Sequence, residues 1–151
     1  MNPMNPMNPM TDQVFAERLR DVYLSFNGDG ERALAELAEL YDRDVVFRDP
    51  LQTLNGREAF VAMNRRVMTR ARRLSFNVKD AFGRGDSLFL AWTMTYEPHR
   101  GPTIVFEGAT HARVRGGVIV EQRDYWDMLS SVAQSLPVVR NLYAALAPHL
   151  G

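Results

Sequence analysis

The sequence predicts an α+β domain in which a strongly curved, mostly antiparallel sheet packs on three N-terminal helices to make a cone-shaped barrel, with an extra C-terminal helical tail. Three observations lead there. Apolar residues recur at helical spacing up to about residue 70, and after Arg73 the period switches to two and stays there. Helices gathered before a run of strands mark α+β order rather than βαβ alternation. The predicted strands run about nine to eleven residues, longer than the usual five or six, so the sheet should coil.

The elements follow in order. Met1-Asn2-Pro3 repeats through to Met10, and proline at every third position forbids a helix, so residues 1–10 read as a disordered tail and 11–151 as the domain. Phe15, Leu19, Val22 and Phe26 form the stripe of a first helix, with Thr11 or Asp12 as N-cap and Asn27-Gly28-Asp29-Gly30 as its end. Leu34, Leu37, Ala38 and Tyr41 make a second stripe, ending near Asp42. Val45, Phe47 and Asp49 alternate as a short strand stopped by Pro50. Asn55-Gly56 opens a third helix with Phe60, Met63 and Val67 on its inner face. Four strands follow, Leu74 to Phe82, Leu88 to Tyr96, Ile104 to Val114 and Val118 to Trp126. Their turns are Gly83-Arg84-Gly85-Asp86, His99-Arg100-Gly101-Pro102 and Gly116-Gly117. A helical tail from Met128 to Leu150, broken at Pro137, should pack outside or cover the mouth of the cone.

Composition narrows the function classes. The chain has 151 residues, 46% hydrophobic and 24% charged, which suits one globular domain. Eighteen basic residues balance eighteen acidic ones, so no net field steers the protein to nucleic acid or an anionic membrane. The absence of cysteine excludes a disulfide framework and a thiolate nucleophile and fits a reducing cytoplasm. No apolar run approaches the ~20 residues that span a bilayer, and no basic segment with an apolar core resembles a secretory signal. His99, His111 and His149 have no ligand spacing, so no metal is expected, and no phosphate-binding glycine loop argues for a cofactor. The arginines Arg65, Arg66, Arg70, Arg72 and Arg73 read as a solvated helix end favoured by the helix dipole. Arg84-Gly85-Asp86-Ser87 reads as a hairpin turn.

Four segments carry a resemblance to a known family: 41–50 (YDRDVVFRDP), 55–59 (NGREA), 108–111 (GATH) and 123–127 (RDYWD). With them the chain resembles the nuclear-transport-factor-2-like superfamily, in its SnoaL-like branch, from Thr11 to about Asp127. That resemblance implies the cone, and the cone hosts isomerases, cyclases, hydrolases, dehydratases and binding modules. It implies a cofactor-free reaction on a small apolar molecule, such as a polyketide or isoprenoid-like carbonyl compound, and a homodimer through the outer sheet face. A non-catalytic ligand-binding or dimerisation module, or an epoxide hydrolase or dehydratase, are the alternatives.

Asp49 is the first candidate catalytic residue. It shares the inward face with Phe47, and a carboxylate at an apolar pocket mouth is a natural general base. By resemblance it falls on the proton-abstracting aspartate of ketosteroid isomerases, and the competing reading is a turn carboxylate accepting backbone hydrogen bonds. Tyr23 matches the helix-one tyrosine of those isomerases, which donates to an oxyanion; alternatively it is a core tyrosine. Thr110 stands where the isomerases carry a second, protonated acid, and it cannot replace that donor. His111 matches a histidine that SnoaL-like cyclases pair with an aspartate on the next strand, or else lies at a dimer contact on the outer face. Glu121, Asp127 and Gln134 have the cyclase spacing, but alternation lets only one of Asp124 and Asp127 face inward, and the tyrosine-tryptophan pair Tyr125-Trp126 favours Asp124 with Trp126. Arg48 and Arg113, the arginines a hydrolase would need, have outward parity. Phe47, Phe60, Met63, Trp92, Met94, Tyr96, Phe106, Thr110 and Trp126 are expected to line the pocket.

Overall fold

The computed structural model describes residues 9–129, 131 and 141. These form three helices and six strands in the order α1 (Pro9–Ser25), α2 (Gly30–Leu40), β1 (Tyr41–Arg48), β2 (Thr53–Asn55), α3 (Arg57–Arg70), β3 (Ala71–Arg84), β4 (Ser87–Pro98), β5 (Ile104–Arg115) and β6 (Val118–Trp126). The strands make one curved sheet in the order β2-β1-β6-β5-β4-β3, antiparallel except where β1 runs parallel to β6. Helices on one side of such a sheet give the α+β cone. Among the described residues no helix is long and apolar enough to cross a membrane.

Local chemistry explains the element ends. α1 begins at Pro9, ahead of the expected cap at Thr11 or Asp12, because proline is tolerated in a first helical turn where its missing N–H has no partner to lose. Pro9 and Met10 therefore leave the tail, and residues 1–8 lie outside the described residues. Asp29 caps α2 by accepting a 3.0 Å bond from the Arg32 amide, and Ala33, Leu34, Leu37 and Leu40 form its buried face. Tyr41 is not the last residue of that helical stripe but the first of β1, buried at the bottom of the cone. Gly56 (φ 92°) makes the turn into α3, and Phe60 anchors that helix on Tyr41 and Phe47. The short strand β2 was not expected; its three residues pair back onto β1 after the Pro50 turn. The helical tail from Met128, with Gln134, lies outside the described residues beyond 129, 131 and 141.

Bulges set which side chains point inward. β3 slips register against β4 between Val78 and Asp80. Leu74, Phe76 and Val78 face the helices, and the slip then brings Ala81 inward and turns Phe82 out, where it is 53% exposed. A second slip, between Arg113 and Val114, separates inward Ile119 from inward Gln122 on β6. Beyond it Gln122, Asp124 and Trp126 share one face. The core of Leu19, Leu34, Leu37, Leu40, Val45, Phe47, Leu88 and Leu90 fills the closed end of the cone. The other end stays open.

Candidate functional site

The open end holds a cavity of about 460 Å³. That volume lies in the range of small-molecule sites. α1 contributes Tyr23, α3 contributes Phe60, Met63, Asn64 and Val67, and the sheet supplies Phe47, Phe76, Trp92, Met94, Tyr96, Phe106 and Trp126. Thr110 is fully buried behind this wall and does not border the cavity. Leu37, Phe26, Ile104, Leu51 and Gln52 complete the lining. Among the described residues, Asp49 and Asp124 are the carboxylates that border it.

Asp124 sits on β6 opposite Thr110 on β5. Its Oδ1 accepts a 2.7 Å bond from the Thr110 hydroxyl and a 2.8 Å bond from Gln122 Nε2. Because Thr110 gives its one proton to Asp124, its lone pairs are left to accept from Trp92 Nε1 at 2.9 Å and from the Tyr23 hydroxyl at 3.3 Å. Gln122 uses its second N–H on the Tyr23 oxygen at 3.2 Å, and its carbonyl accepts from the Tyr41 hydroxyl. Donors and acceptors thus match around a closed ring of Asp124, Thr110, Tyr23 and Gln122, with Tyr41 and the Trp92 indole bonded to it from outside. Both bonds fall on Oδ1, none among the described residues engages Oδ2, and Asp124 borders the cavity.

The electrostatics single out the same residue. Burial pushes the Asp124 carboxyl up to about 7, assisted by the charge of Asp49 and opposed by the bonds from Thr110 and Gln122. The Tyr23 and Tyr41 phenols are driven well above the ordinary phenol value, first by burial and then by neighbouring charge. Near neutral pH the group that changes protonation is the carboxyl, and both phenols hold their protons.

The remaining candidates separate cleanly. Asp49 borders the cavity, but Oδ1 accepts from the amides of Leu51 at 2.7 Å and Gln52 at 2.9 Å, and Oδ2 accepts from Gln52 Nε2 at 3.3 Å. Its lone pairs hold the turn between β1 and β2, the competing role that Asp-Pro suggested. Tyr23 lines the cavity with its hydroxyl engaged by Thr110 and Gln122, so it anchors Asp124 and is not a free oxyanion donor. His111 lies on the outer face, its ring stacked on Phe89 with centroids 4.4 Å apart, because alternation that turns Thr110 in turns its neighbour out. Asp127 follows the end of β6, and its carbonyl accepts from Ser131. Arg48 pairs with Glu121 and Arg113 with Asp86 on the outer side. The arginine cluster divides: Arg65 and Arg72 bind Glu31 and Glu97, whereas Arg66 and Arg70 border the cavity, which their solvated-face reading did not foresee.

Gly108 places the wall. It pairs with Trp92 across β4 and β5, and a Cβ there would lie 2.5 Å from the Trp92 ring and 2.8 Å from the Tyr125 carbonyl. Only a bare backbone lets the indole cross the strand and reach Thr110.

Known proteins place this arrangement. A family model described as a SnoaL-like domain matches residues 19–122. Among solved structures, an LEH-like epoxide hydrolase of M. tuberculosis is 17% identical, covers 90% of this chain and 98% of its own, and superposes with a TM-score of 0.68. A protein of ketosteroid isomerase-like fold from Catenulispora acidiphila, in complex with trimethylamine, is 21% identical over 78% of this chain and 91% of its own, TM-score 0.66. An NTF2-like protein of unknown function from Burkholderia pseudomallei is 17% identical over 80% and 95%, TM-score 0.67. At such identities the likeness shows the fold. No curated protein matches the chain in sequence. With its matched segment spanning α1 to β6, the chain belongs to the SnoaL-like domain family, and it shares the fold of NTF2-like proteins.

Proposed function

We propose that this protein is a cofactor-free acid–base catalyst acting on a small apolar carbonyl compound, with Asp124 as the proton shuttle. One observation carries the reading: a carboxyl poised near neutrality faces a mostly apolar cavity while a saturated hydrogen-bond network holds it from behind. A base is most effective when its pKa lies near the working pH. In its charged form Asp124 takes a proton from the carbon beside the carbonyl, leaving an enolate, and returns it to a different carbon or the same one. Thr110, Gln122 and Tyr23 are positioning residues, since each acts through Asp124.

The test uses 2-tetralone, an apolar ketone with exchangeable protons beside its carbonyl. Wild-type protein in D2O should speed their exchange, read by proton NMR, and Asp124→Asn should slow it by about 10²-fold or more. Exchange that is equally fast in Asp124→Asn would sink the assignment. A second reading, a binding module without turnover, draws on the engaged Tyr23 hydroxyl, which leaves the cavity without that oxyanion donor. Binding of 2-tetralone without any exchange would favour it. The epoxide-hydrolase activity of the M. tuberculosis relative has little support from this chain's own residues, because Arg48, Arg113 and His111 stand outside the cavity.

The outer face suits a second copy of the chain. Phe82, Phe89 and His111 stack in a row across β3, β4 and β5, with Val105 and Tyr125 also exposed there. Ion pairs Lys79–Glu107, Arg48–Glu121 and Arg113–Asp86 neutralise the surroundings. Apart from Arg123, which stacks on Tyr125, the charges around this apolar centre are paired, which suits contact with a second copy.

A further inference from the structure

We infer that the cavity takes an amphipathic anion, its apolar body in the cone and a carboxylate head on Arg66 and Arg70. This deepens the function proposed above and rests on the same cavity. α3 presents Phe60, Met63, Asn64 and Val67 to the cavity at helical spacing, and the same face continues into Arg66 and Arg70 toward its C-terminal end. Both arginines are exposed, which sets them at the rim, and they are four residues apart, so their guanidinium groups reach the same region. Among the described residues no acid pairs with either, although Arg65 on the same helix is paired with Glu31. Of the arginines described, these two alone border the cavity.

The rest of the lining decides where a charge can sit. Asp124, in the wall, and Asp49, at the turn, both repel an anion. Phe47, Phe76, Met94 and Phe106 offer an anion nothing to bond, and Trp126 offers only a single indole N–H. The rim is different: two planar cations, a fork geometry suited to carboxylate, and Leu51, 62% exposed, as an apolar lip. A ligand with one end of each kind satisfies both regions. A wholly neutral ligand leaves the arginines to water, and a compact anion leaves the cone empty. The plainer role, cations stabilising a helix C-terminus, needs no cavity and predicts no preference among ligands.

Calorimetric titration of the full chain with decanoate, decan-1-ol and inorganic phosphate at pH 8 tests this. At low salt decanoate should bind about tenfold tighter than decan-1-ol, a modest ratio because exposed ion pairs are weak, and the ratio should shrink in 300 mM NaCl. The double variant Arg66→Gln/Arg70→Gln should bring the ratio close to one, with the decan-1-ol isotherm reporting an intact cavity. Equal affinities in the wild type, or a ratio that survives the double substitution, would overturn the inference and leave the proton-shuttle reading standing. Phosphate binding as tightly as decanoate would overturn it in favour of a bare anion site. If neither decanoate nor decan-1-ol binds, the cavity reading falls with it. Loss of proton exchange dependence on Asp124, with the decanoate preference kept, would strike the catalytic reading alone.

Discussion

Asp124 is pulled in two directions, and the balance has a thermodynamic signature. Burial disfavours its charge, while Thr110 and Gln122 stabilise it. In the unfolded chain such a carboxyl titrates near ~4 and in the fold near 7, so between those values the folded state holds the extra proton. The group's contribution to stability is present at pH 4 and is lost as pH rises through 7, on the order of 2–4 kcal/mol. Asp124→Asn removes the charge yet leaves an Oδ1 that accepts the same two bonds. Its melting temperature should exceed the wild type's at pH 8, with the gap closing toward pH 5. Scanning calorimetry across that range checks it, and a wild-type curve that is no less stable at pH 8 relative to the variant would count against the buried charge. At this scale the sequence was half legible. Alternation with Trp126 put Asp124 inward, but that Asp49 would be absorbed by its own turn depended on three bonds from Leu51 and Gln52, which residue types alone do not assign.

Among the elements, β5 carries the constraint that bears on the site. Gly108 faces the Trp92 ring on one side and the Tyr125 carbonyl on the other, and the carbonyl is backbone that cannot rotate away. Gly108→Ala should force the indole off Thr110, costing about 1–3 kcal/mol in urea unfolding through overpacking and a lost bond. Its effect on 2-tetralone exchange should exceed its effect on stability, since Thr110 holds Asp124. A variant as stable and as active as wild type would show that the wall tolerates a methyl group. The strands themselves were readable because the period changed to two and glycine turns separated them. The bulges were not, since a slip of one residue between Val78 and Asp80 leaves no mark in composition. Nor could helix periodicity assign Arg66 and Arg70 to a rim, because the partner of that helix face is set by tertiary packing.

For the whole molecule, the fold was legible almost throughout, since the order of helices and strands limits a chain of this length to few architectures. The parallel pairing of β1 with β6 joins β1 and β2 to the other strands, so that one face of the sheet covers the core and the opposite face meets solvent. If that face joins two copies, Phe89→Glu should place a desolvated charge in the contact and yield monomers by sedimentation velocity, with the fold intact. A wild-type chain that sediments as a monomer at all accessible concentrations, or a dimer indifferent to this substitution, would rule the contact out.

The two tryptophans of the chain, Trp92 and Trp126, both stand in the cavity wall. All indole emission therefore arises from one chamber, with Trp92 bonded to Thr110 and Trp126 edge-on to Phe106. The protein carries its own optical gauge: the colour and intensity of its native fluorescence report the polarity of that chamber, with no label attached.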